Sequence, residues 1–298
     1  MRNLSLFGLG LSLALLTLSA CKDQSSNNEA GESSAIVKDT LLQSKPAGNG
    51  KAYQMKILST PDIIQSGKQV VFSFTPQIVG KETEPVPLET DRGYEMHLIM
   101  VSSDLSWFDH RHPGLSDLGT YQQAYTFSKG GVYDLFAEFK PMGSTDTVQM
   151  KSFPVNGNSD RPVTYSESKL TSTAGPFEVT LAPVEGIKFE SGKMQSISAA
   201  ITKAGVPVDA KTLGDYLGGK GHMVIIGVKD KDFLHVHPSV ENGNLVFHTS
   251  FSNPGIYRVW LQIQTENIIH TSDFVMRVDE GSETSMGKDE DDMHTDQH

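Results

Sequence analysis

The stretch HLIMVSSDLSWFDHRHPG, from His97 to Gly114, carries His97, His110 and His112, three of the ten histidines in the chain. A second stretch, HMVIIGVKDKDFLHVHPS, begins at His222 and carries His222, His235 and His237 at the same spacing, His-x12-His-x-His-Pro. Imidazole in its neutral form is a ligand for transition metals, and three of them can surround one ion at zinc–nitrogen distances of about 2.0–2.1 Å. The spacing suits that chemistry if each stretch is a β-hairpin. Side chains at i and i+2 of a strand share a face, so His110 and His112 point the same way. A turn centred between Ser103 and Asp104 sets His97 opposite His110, and one centred between Asp104 and Leu105 sets it opposite His112. Either register keeps all three on one face, with directly opposed Cβ atoms about 4.5–5.5 Å apart. The same construction holds for His222, His235 and His237.

All-nitrogen ligation suits copper(II), zinc or nickel better than calcium or magnesium. The only cysteine is Cys21, at the N-terminal end, so a His2Cys blue-copper site is excluded. Three histidines with an open position are also how a hydrolytic zinc site is built. Such a site wants a carboxylate, but Asp104 and Asp109 face Lys229 and Leu234 in the second stretch, and neither acid recurs. No Gly-x-Ser-x-Gly, phosphate loop or His-Glu-x-x-His accompanies the histidines. The residues therefore point to a binding protein and not an enzyme. A structural reading competes with the metal one. Ile99 and Phe108 fall on the histidine face, so the imidazoles also fit a buried corner of the core, in a surface lipoprotein that presents its loops to a partner. Met96 and Met100 alternate with His97 and read as core filler. His248 and His270 lack counterparts in the first stretch and read as incidental.

The elements that hold these residues are duplicated. His97, Phe108, His110, His112 and Pro113 fall on His222, Phe233, His235, His237 and Pro238 at a shift of 125. YTFSKGGVYDLFAEF from Tyr125 then falls on TSFSNPGIYRVWLQI from Thr249 at a shift of 124. Of the seventeen positions from the first histidine to the proline, five are identical, and three of those are the histidines. The repeat places one domain at 51–157 and the other at 173–280, joined by a polar linker at 158–172. Each copy alternates short runs rich in Val, Ile, Phe and Tyr with Gly, Pro, Asn and Asp, which predicts antiparallel strands. An all-β protein of two tandem immunoglobulin-like sandwiches follows. GGVYDLFAEF and PGIYRVWLQI resemble the penultimate strand of such sandwiches, with a tyrosine near its start.

The ends carry separate signals. Residues 1–20 have a positive start and an apolar run closing in small residues, a secretory leader too short to be a comfortable span. LSAC at Cys21 resembles the lipobox of bacterial lipoproteins. That resemblance implies cleavage before Cys21, acylation of Cys21, and anchorage to a membrane of the cell envelope, the outer membrane being favoured. The bilayer is thus the first expected partner. Residues 21–50 read as a flexible tether. The tail at 281–298 is acidic; Met293, His294 and His298 make either an accessory metal trap or part of a solubilising tail. A net charge of −11 argues against nucleic acid as a partner.

A histidine hairpin in a secreted β-sandwich resembles bacterial periplasmic domains associated with heavy-metal handling. In general build it is also similar to small copper-resistance sandwiches. The resemblance implies sequestration of copper or zinc outside the cytoplasm, or delivery to a partner protein, and assigns no individual residue.

Overall fold

A computed structural model of the chain describes residues 39–43 and 50–281, apart from residue 118. The leader, Cys21 and the tail residues Met293, His294 and His298 lie outside the described residues. Among the described residues no helix is long and apolar enough to cross a membrane. The one helical segment among them is a 3-10 turn, Ala210–Thr212, capped by the Asp209 side chain.

The rest is β-structure in two sandwiches. In the first domain one sheet has the order Asp39–Gln43, Thr147–Asn156, Gly131–Phe139, Met96–Ser102, Phe108–Arg111. Its partner sheet runs Tyr53–Thr60, Gln69–Ile78, Tyr121–Thr126, Gly114–Leu115. The second domain repeats the plan. One sheet has the order Phe189–Glu190, Ile268–Asp279, Gly255–Thr265, His222–Gly227, Phe233–Val236, and the other is built around Phe177–Pro183, Met194–Lys203 and Asn244–Ser250. Alternation makes these sheets two-faced. In Gln69–Ile78 every second residue, Val70 to Ile78, is buried, whereas the residues between them are not. The inward faces meet in one apolar core per domain, with Phe72, Phe74 and Phe127 at the centre of the first and Phe247, Phe251 and Phe274 at that of the second. Tyr133 Oη donates to the Lys129 carbonyl at 3.0 Å, and Tyr257 Oη to the Asn253 carbonyl at 2.7 Å. These are the tyrosine corners that the repeated Gly-x-Tyr segments announced.

Two features go beyond the sequence reading. The segment expected to be tether contributes a strand: Asp39–Gln43 pairs antiparallel with Thr147–Asn156, with Asp39 opposite Lys151. The histidine strands, moreover, are buried on both faces. Met96 to Val101 and His222 to Gly227 are buried without interruption. Leu98 and Met100 belong to the core of their own sandwich, whereas Ile99 and Val101 join Phe136, Val224, Ile226, Phe233 and Trp260 in a third apolar cluster made by both domains. The outer faces of the two histidine-bearing sheets thus lie against each other.

Candidate metal centre

The hairpin register comes first. Leu98 pairs with Arg111 and Val101 with Phe108, and Ser102 N donates to the Trp107 carbonyl. The turn is therefore centred between Asp104 and Leu105, and His97 comes into line with His112. In the second domain Met223 pairs with Val236, which puts His222 in line with His237. Of the two registers left open by the sequence, both domains take the same one. Met96, Met100 and Met223 face the sandwich cores, away from the imidazoles. His248 is exposed and bonded to Ser196, and His270 bonds Thr265; neither joins the cluster.

The rings of all six expected histidines cluster across the domain boundary, although His112 falls in neither group of closely spaced ligand nitrogens. The ring centroids of His97 and His112 are 4.9 Å apart, and those of His110 and His112 4.7 Å. The corresponding separations are 4.4 Å for His222 and His237 and 4.7 Å for His235 and His237. Between domains, His97 lies 5.2 Å and His110 5.5 Å from His235. Two groups of three have ring nitrogens within 4.8 Å of one another: His97, His110 and His235, and His222, His235 and His237.

The hydrogen bonds repeat with the sequence. His97 Nε2 faces the Asp91 carbonyl at 3.4 Å, and His222 Nε2 faces that of Tyr216, 125 positions on, at 3.1 Å. Asp91–Tyr94 and Tyr216–Gly219 are tight turns with positive φ at both central residues, Arg92 and Gly93 in one and Leu217 and Gly218 in the other. Such turns favour glycine because a Cβ is strained there. Tyr94 from the first turn stacks on His112 at 3.9 Å, and Tyr216 lies edge-on to His222. On the inner side, His97 Nδ1 stands 3.4 Å from His110 Nε2, and His222 Nδ1 3.1 Å from His235 Nε2. The second histidine of each hairpin then reaches the other domain. His110 Nδ1 is 2.9 Å from Gln262 Oε1, and His235 Nδ1 is 2.5 Å from Glu138 Oε2.

These contacts constrain the protons. A carbonyl only accepts, so His222 Nε2 carries the hydrogen and Nδ1 offers a lone pair. If Glu138 is a carboxylate, His235 donates from Nδ1, and its Nε2 lone pair faces that of His222. With His235 neutral, two lone pairs then meet at 3.1 Å, a contact relieved by a metal ion or by a second proton that makes His235 an imidazolium paired with Glu138. If Glu138 is protonated it donates to His235 Nδ1, and His235 Nε2 donates to His222. Burial pushes the Glu138 carboxyl up to about 7, so the two states lie close together near neutrality. In the other half Gln262 can rotate its carboxamide to serve either state.

Burial, assisted by the neighbouring imidazoles, holds five of these histidines neutral. It pushes His112 and His222 down to about 2 and His235 and His237 to about 3, and takes His110 well below its ordinary range. Neutral imidazole is the form that ligates. Two nitrogens bound to one tetrahedral zinc lie roughly 3.3–3.4 Å apart, given bonds of about 2.0–2.1 Å. The inner pairs are already at that spacing or slightly inside it. His112 Nε2 and His237 Nε2, again counterparts, are buried with no hydrogen-bond partner. Orphaned buried nitrogens are costly, on the order of 1–3 kcal/mol each.

The sequence reading missed Glu138 and Gln262. It sought carboxylates inside the hairpins, but these two stand on the adjacent strand, beside His97 and His222 respectively. The 124-residue shift does pair them with each other, and that was the signal available. Asp104 and Asp109 are engaged elsewhere, with Ser102 and Ser106 and with Arg111.

No curated protein matches the chain. Among solved structures it is similar to the fibronectin(III)-like modules of Clostridium thermocellum CbhA, at 11% identity over 76% of this chain and 95% of that one, with a TM-score of 0.20. It is also similar to Escherichia coli alpha-2-macroglobulin activated by porcine elastase, at 11% identity over 76% of this chain and 20% of that one, with a TM-score of 0.27. The sandwich architecture rests on the strand pairings described above. A family described as a domain of unknown function, DUF8832, matches residues 50–156 and again 172–280, the two halves of the duplication. The chain belongs to this family and carries its domain twice.

Proposed function

We propose that the protein binds copper or zinc outside the cytoplasm, at a six-histidine centre between its two sandwiches. In this reading it is held to an envelope membrane by acylated Cys21 and stores the ion or passes it to a partner protein. One observation carries the proposal. In each half the outer nitrogens of two histidines are held by oxygen partners, whereas the inner nitrogens face each other and a third imidazole nitrogen is buried with no partner. Metal-bound histidines show this pattern, because the second ring nitrogen donates to a carbonyl or carboxylate and so fixes the ring. A purely structural corner accounts for the four paired histidines through imidazole–imidazole hydrogen bonds. It leaves His112 and His237 unexplained. Enclosure between two sheets favours holding an ion over hydrolysis, which needs an open, substrate-accessible coordination position.

The test is elemental analysis of residues 22–298 after loading with copper, zinc and nickel and extensive dialysis. Retained metal is expected in the wild type and none in a variant with His97, His110, His112, His222, His235 and His237 all replaced by alanine. A folded wild type that retains no metal overturns the proposal.

A further inference from the structure

We infer that Glu138 and Gln262 are positioning residues exchanged between the domains, and that their difference makes the two halves of the centre unequal, the half of His222, His235 and His237 taking the ion first. This inference rests on the metal-binding reading above.

Glu138 pairs across the sheet with His97, and Gln262 with His222. Neither serves the hairpin of its own domain. Glu138 holds Nδ1 of His235, and Gln262 holds Nδ1 of His110. Both bonds run between domains, so each domain supplies the group that orients a ligand of the other. The duplication has kept the position and changed its chemistry. A carboxylate accepting the Nδ1 hydrogen turns the imidazole so that Nε2 faces the ion, and its negative charge makes that nitrogen a stronger donor. A carboxamide oxygen orients the ring but brings no charge. Gln262 also meets Thr271 Oγ1 at 3.3 Å through its amide nitrogen. The Glu138 side chain is 20% exposed and lies beside an imidazole 1% exposed, so its charge acts through little solvent. Arg92 is a nearby cation, and Asp91 and Asp146 are nearby anions. Loss of such an outer partner typically costs about 10–100-fold in metal affinity.

The experiment is competitive zinc titration of residues 22–298 against a chromogenic chelator, for the wild type, E138Q and Q262E, with cobalt(II) absorption spectra of each. Glutamine keeps the shape and the acceptor of Glu138, and thermal melting in chelator checks that each variant folds. The wild type is expected to bind in two resolved steps. E138Q is expected to weaken the first about 10–100-fold and to shift the cobalt ligand-field bands, an electronic change that a merely structural role would not produce. Q262E is expected to bring the second step toward the first. Metal bound in two equal steps, or a first step and spectrum unmoved by E138Q with Q262E also silent, overturns this inference and leaves the metal reading standing. A wild type that binds no zinc or cobalt removes both.

Discussion

Phe108 of the first domain stacks on Trp260 of the second, ring centroids 4.8 Å apart and planes within 14°. Its repeat counterpart Phe233 stacks on Phe136 at 4.9 Å and 15°. Phe136 and Trp260 are themselves counterparts at a shift of 124. The two domains therefore meet through a pseudo-twofold axis, and the six histidines gather about it. Trp260→Ala is expected to cost about 3–5 kcal/mol, the range for emptying a large buried aromatic site. It should also reduce metal retention, because the bonds from His110 to Gln262 and from His235 to Glu138 depend on the docked faces. Chemical denaturation and metal analysis of the variant check this. Unchanged stability would mean that the domains do not dock through this face.

Arg258 seals the same interface. Its guanidinium donates to the Leu105 and Phe274 carbonyls and to Asp273, and its side chain is 6% exposed. Removing it leaves buried acceptors without donors, which typically costs about 1–3 kcal/mol per group. Arg258→Ala is expected to lower stability by about 2–4 kcal/mol on that basis. A loss below a few tenths in denaturant unfolding would mean that water replaces the guanidinium freely.

Acid should weaken the metal-free protein through its imidazoles. His110, His112, His222, His235 and His237 are held below their ordinary value of 6.5, so between about pH 3 and 6.5 the unfolded chain binds more protons than the folded one. Stability therefore rises with pH in that window and is lost as pH falls. Glu138 works in the opposite sense. Its carboxyl is raised from 4.5 to about 7, and its contribution is lost as pH rises through 7. Five imidazoles outweigh one carboxyl, so Tm in chelator is expected to fall between pH 7 and pH 4.5. The sextuple alanine variant should lose most of that slope, and an equal slope in both proteins would refute the assignment.

The tyrosine corners give a local check on the fold. Tyr257→Phe removes the hydroxyl that donates to the Asn253 carbonyl and lies against the Asp232 carboxyl, inside a packed site. A loss of about 1–1.5 kcal/mol is expected, as for a single neutral bond, with metal retention unchanged. Destabilisation accompanied by loss of metal would mean that the second sandwich and the centre are mechanically coupled.

The sequence by itself determined the repeat, the all-β class and the common face of the histidines. Those properties follow from short-range rules: a period of two along each strand, glycine and proline at the turns, and a spacing that must survive for His110 and His112 to stay on one side. Even the choice of register reduced to two options, both with the same face. The tertiary structure decided what that face meets. Ile99 and Phe108 marked it as partly buried, but burial against a second sheet of the same domain and burial against another domain look alike in a sequence. Docking turned two hairpins into one cluster, set His97 within 5.2 Å of His235, and brought Glu138 and Gln262 to histidines that are far from them in the chain. Contacts between residues 97 and 152 positions apart leave no local periodicity, because they are fixed by the packing of two finished surfaces and not by the course of either strand.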